Sequence, residues 1–164
     1  MQAAGLVEIL FMTLTILSVL IGIVAGLRTM TAPAAVAVGA RYGAIAVAGT
    51  PLAFMGYTWT AWIFCALAIV ELIMDQLPAT PSRKVPMQFS ARVLTGALSG
   101  ATLAAPHGSL VAGLIAGVIG AVIGTLGGAA FRTRLTAAFG KDRPAALIED
   151  VVAIAAASLI VLAY

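Results

Sequence analysis

Glu71 and Asp75 lie four residues apart, and Glu149 and Asp150 are adjacent, inside stretches that are otherwise apolar. Side chains at i and i+4 share one face of a helix, so the first pair points the same way. Carboxylates from two helices could hold a hard cation or carry protons. Arg92 stands at the start of another apolar stretch, and Arg132 and Arg134 at the end of a fourth. Their guanidiniums could pair with these acids or bind a phosphate or carboxylate of a solute. A charge at membrane depth must face a partner or a wet cavity. Glu71, Asp75, Glu149, Asp150, Arg132 and Arg92 are therefore the candidate ligand or ion site, with Arg132 the first choice of basic partner and Arg28 a further candidate. No particular metal is indicated. The plainer alternative, a network of ion pairs tying helix ends together, fits the same residues.

Catalysis has little to stand on. His107, the single histidine, sits in a Pro106-His107-Gly108 turn. There is no G-x-S-x-G elbow, no His/Cys cluster and no phosphate-cradling loop. Neither an enzyme nor a cofactor is expected, and no catalytic residue is assigned. Cys65 is the only cysteine, so a disulfide within the chain is excluded, and its setting suits a small packing residue.

The elements that must position these groups are five apolar stretches, Gly5–Leu27, Thr58–Leu77, Gln88–Ala105, Ser109–Phe131 and Arg143–Tyr164. Each is near the ~20 residues that a helix needs to cross the hydrocarbon of a bilayer. The 164 residues are 62% hydrophobic and 9% charged, where a soluble domain has about 25% charged residues. The expectation is one all-α transmembrane domain over residues 1–164. Its net charge of +3 is too small to suggest nucleic acid. Glu71, six residues before Leu77, lies ~9 Å inside its helix end, and Glu149, five past Pro144, ~7–8 Å inside its own. The acids then share a depth on one side, and Glu8 is a further candidate to join them.

With five crossings, Arg83, Lys84, Arg92, Arg132, Arg134, Lys141 and Arg143 fall on one side, and Arg28 and Arg41 on the other. The positive-inside rule places the N-terminus in the cytoplasm and Tyr164 outside a bacterial inner membrane. Tyr57, Trp59 and Trp62 start the second stretch at the outer side, where an aromatic belt belongs. Thr31–Gly56 is read as a short helix near Ala34–Tyr42, lying on the outer interface or dipping in and returning. Pro33 suits its first turn and Gly43 its end.

Gly113, Gly117, Gly120, Gly124 and Gly127 recur at helical spacing, and Gly22/Gly26 and Gly96/Gly100 repeat the small-xxx-small pattern. Such faces let membrane helices approach closely, and the stripe invites a homo-oligomer. Gly26-Leu27-Arg28-Thr29 and Ala130-Phe131-Arg132-Thr133 each precede a short Ala-rich stretch, Thr31–Gly43 or Leu135–Gly140, and then another crossing. One odd helix between the two units predicts an inverted repeat.

Gly26-Leu27-Arg28-Thr29, Glu71-Leu72-Ile73-Met74-Asp75-Gln76-Leu77-Pro78 with Thr80-Pro81-Ser82-Arg83, Arg132-Thr133-Arg134, and Leu147-Ile148-Glu149-Asp150 resemble, in order and over nearly the whole chain, a widespread bacterial family. It is filed as domain of unknown function "four-one-two-six". The resemblance implies an integral membrane protein. It draws attention to Arg28, Glu71, Asp75, Glu149 and Asp150 and supplies no substrate. Two functions remain open. One is a carrier or channel for an ion or small, including anionic, solute, with its site at the cytoplasmic end. The other is a non-transporting subunit or lipid-binding scaffold whose charges form a structural network.

Overall fold

A backbone immersed in lipid must satisfy its amides and carbonyls internally, and a chain this rich in Ala, Leu and Gly does so with helices. The computed structural model describes residues 2–75, 86–140 and 142–164. Every regular element among them is helical: α1 (Gln2–Leu27), α2 (Thr31–Arg41), a 3-10 turn (Ala53–Gly56), α3 (Thr58–Met74), α4 (Pro86–Ala104), a second 3-10 turn (Ala105–His107), α5 (Leu110–Phe139) and α6 (Asp142–Ala163). Three spans, Ala4–Leu27, Leu110–Phe139 and Arg143–Ala163, are long and apolar enough to cross a membrane. α3 is apolar but only 17 residues long.

The centre is a trio of helices touching backbone to backbone. A Cβ on Gly117 would lie 2.1 Å from the Gly96 carbonyl oxygen, and one on Gly120 would lie 2.1 Å from that of Val19. Gly22 meets Gly117 and Gly26 meets Ala121 and Gly124, so α1 and α5 run parallel. Gly96 and Gly100 meet Gly117 and Gly113 in reverse order, so α4 is antiparallel to both. Ser18 adds a buried hydrogen bond, donated to the Gly100 carbonyl at 3.1 Å. Gly113, Gly117, Gly120 and Gly124 of the stripe are thus used inside the chain. Gly127 leaves the pattern, with nothing within 4 Å of its built Cβ. α1 has already stopped at Leu27 and no helix faces that position.

α2 forms where a short helix is expected. Pro33 occupies its first turn, and Gly43, at φ +84, reverses the chain beyond Arg41. It does not lie on a surface. Thr31, Val36, Ala37 and Ala40 are buried, and Gly39 touches Val161 of α6. The loop after it sends Ile45, Val47 and Met55 into the core.

These contacts correct the expected topology. Glu71, near the end of α3, reaches the amides that follow α1, so α1, α3 and α5 finish at one end of the bundle. α2 then makes a short return pass, and Arg41 at its end bonds to Thr58 at the start of α3. Among the described residues the six α-helices run in alternating directions, three of them long and apolar enough to cross a membrane, and the first and last have their free ends at the same end. An inverted repeat would set α1 against α5, but the two are parallel. Leu135–Phe139 is also no separate helix; it is the last stretch of α5, closed by Gly140 at φ +67. Arg83, Lys84 and Lys141, part of the charge bias, lie outside the described residues.

Candidate functional site

α1 stops and α2 starts within three residues, inside the bundle. Helix ends carry carbonyls and amides without intrahelical partners, and burying them bare is costly. Arg92 of α4 answers the first set, its Nη1 donating to the carbonyls of Gly26 at 2.8 Å and Leu27 at 2.7 Å. Glu71 of α3 answers the second, with its two oxygens accepting from the amides of Thr29 at 2.7 Å and Met30 at 2.8 Å. Met30, the N-cap, brings no side-chain cap of its own. Each charge has the sign that the adjoining helix dipole favours. Arg92 Nη2 and Glu71 Oε1 are 4.0 Å apart, so the two also pair across the reversal.

Arg28 lies between these caps and is fully buried. Its guanidinium pairs with Asp75, just past α3, and with Asp150 of α6. Arg132 of α5 reaches the same layer, with its Nη1 3.7 Å from Asp75 Oδ2 and 3.7 Å from Glu149 Oε2. Glu149 and Asp150 are both buried. One layer therefore gathers carboxylates from the α3 and α6 segments and guanidiniums from the ends of α1, α4 and α5. Thr31, the first residue of α2, is also buried here, and its hydroxyl has no hydrogen-bond partner among the described residues.

All seven candidate residues come together. Arg132 is placed as expected, between acids of two helices. Arg28 requires a correction: the charge count put it on the far side, and it is instead the most deeply buried member of the layer. The cause is the return pass of α2, which brings the end of α1 to the acids. Glu8 does not join. It is exposed, twenty residues before Arg28 and so about 30 Å away along α1. Arg134 is exposed and makes no ion pair among the described residues. His107 is at the opposite end, its ring 5.9 Å from that of Tyr164. Among the described residues no group of three His, Cys, Asp or Glu side chains is arranged to hold a metal ion.

The parts that sequence reasoning missed are the amides of Thr29 and Met30 and the hydroxyl of Thr31. Backbone donors leave no mark in a sequence. Pro33 in a first turn was the available signal that a helix N-terminus lay close by. Comparison of the chain with protein families, curated proteins and solved structures finds no match.

Proposed function

We propose that this chain is a small integral membrane carrier or channel for an ion or small solute, with its polar site at the layer where the α1–α2 reversal meets α3, α5 and α6. The observation that carries this reading is the Thr31 hydroxyl. An ion-pair network built only to tie helices together has no use for a buried hydroxyl without a partner, and such a group in a native structure calls for a ligand or water. It stands one residue from the amides held by Glu71, beside acids and guanidiniums of both signs.

Orientation is part of the proposal. With Arg28 moved to the network end, five of the six described basic residues lie towards that end, and only Arg41 lies at the other. The positive-inside rule then favours the network end as cytoplasmic, with both termini outside a bacterial cytoplasmic membrane. Membership of the uncharacterised family named above is likewise proposed, on its E-x-x-x-D-x-x-P and late Glu-Asp elements. No catalytic step and no cofactor enter the proposal.

The test is flux in proteoliposomes, using protons, sodium, potassium, chloride, acetate and phosphate as probes. Thr31→Val removes a hydroxyl that has no partner among the described residues, so it should keep or raise thermal stability while reducing flux. Glu149→Gln should also lose flux. No flux of any probe through wild type, or unchanged flux in both variants, would reject the site.

A second reading has its own support. Arg92 and Glu71 cap buried helix ends, which favours a non-transporting subunit or lipid-binding scaffold with a structural network. That reading expects every charge-removing variant to lose stability and none to respond to a solute.

A further inference from the structure

Arg41 closes α2 at the end of the bundle opposite the ion-pair layer. It is exposed, as are Tyr42 next to it and Tyr57, Trp59 and Trp62 about the start of α3, the two tryptophans keeping 78% and 68% of their surface. Its Nε donates to Thr58 Oγ1 at 2.8 Å, which anchors the guanidinium against the first turn of α3. Its Cζ lies 6.0 Å from the centre of the Tyr42 ring. No carboxylate among the described residues pairs with it. Trp62 is four residues past Thr58 and shares its helix face.

An exposed guanidinium held to the start of an apolar helix, with exposed Trp and Tyr residues in that same turn and its neighbour, belongs at the depth of lipid headgroups. Its fork geometry matches two phosphate oxygens. A cation without a local acid favours a headgroup of net negative charge over a zwitterionic one. We propose that Arg41, oriented by Thr58 and flanked by Trp59 and Trp62, binds the phosphodiester of an anionic phospholipid. The occupant is a lipid of the surrounding leaflet, not a soluble phosphate, because Trp59 and Trp62 project apolar surface that only an acyl chain would cover.

The chain carries its own reporter. Trp59 and Trp62 are its two tryptophans, so tryptophan emission, excited selectively over tyrosine, comes only from this place. The purified chain is reconstituted into phosphatidylcholine vesicles containing brominated phosphatidylglycerol or, separately, brominated phosphatidylcholine. In wild type the brominated anionic lipid should compete for the tryptophans about five-fold better. Arg41→Gln should bring that ratio to about one, and Arg41→Lys should retain part of it. Thr58→Val keeps the charge but not its anchor and should lower the ratio about two-fold. Equal quenching by the two lipids in wild type overturns the proposal, even where a variant fails to reconstitute. So does a preference that survives in Arg41→Gln. Loss of the wild-type preference on adding millimolar inorganic phosphate would assign the site to a soluble anion and overturn the lipid assignment.

Discussion

Arg92 and Leu27 are joined by a 2.7 Å hydrogen bond from guanidinium to backbone carbonyl, across two helices and inside the bundle. A side chain of α4 thus finishes what α1 cannot finish for itself. Arg92→Met fills similar space but leaves the carbonyls of Gly26 and Leu27 bare and Glu71 without its neighbour. Removing one partner of a buried pair costs about 3–5 kcal/mol, so thermal unfolding in detergent should fall sharply. Arg92→Lys should recover part of the loss, since it restores the charge without the fork. A melting temperature unchanged in Arg92→Met would sink the capping account.

Glu71→Gln tests the other half of the reversal. The amide retains one accepting oxygen and loses the charge that the α2 N-terminus favours. The expected cost is about 1–2 kcal/mol. Hydrogen exchange should quicken at the amides of Thr29 and Met30 while the glycine-packed centre of α5 keeps its protection. Uniform quickening along the chain would mean that Glu71 supports the fold globally rather than this turn.

Gly120 and Gly127 have the same residue type on the same helix and opposite surroundings. Gly120→Ala drives a Cβ into the Val19 carbonyl, and overpacking of this kind costs about 1–3 kcal/mol or more. Gly127→Ala meets nothing within 4 Å and should be neutral or add up to about 1 kcal/mol through helix propensity. Thermal stability of the two variants, measured side by side, checks the packing. Equal losses would contradict the parallel contact of α1 with α5.

The alternating six-helix topology is open to labelling. In a Cys65→Ala background, single cysteines at Gly5 and Tyr164 should react with impermeant thiol reagents from one side of the membrane, and one at Thr136 from the other. Reaction of the Gly5 and Thr136 positions from the same side would restore an odd number of passes.

Much of the site was readable from side-chain type alone. Carboxylates and guanidiniums in an apolar chain are too costly to scatter, so their meeting could be anticipated. The side on which Arg28 lies could not, because it depends on whether Thr31–Gly56 returns through the bundle. α2 is short, Ala-rich and buried by its small cross-section, so neither length nor hydropathy marks it as a pass. The glycine spacing was legible, but its partner was not. A stripe records only that something comes close, and here it is α1 and α4 of the same chain. Gly127 fits the spacing and still faces nothing, because the length of α1, not the period of α5, decides where the contact ends.

α3 meets the rest of the bundle differently from every other long helix. Only Ala61 and Ala68 are buried along it, and its hold is concentrated at Arg41–Thr58 at one end and at Glu71 and Asp75 at the other. The protein therefore has two kinds of cohesion. α1, α4 and α5 are welded by shape, which ionic conditions do not touch. α3 is moored at bow and stern by polar lines with little keel between them. An arriving ion or a single substituted charge therefore acts on the moorings of α3 and leaves the welded trio its contacts.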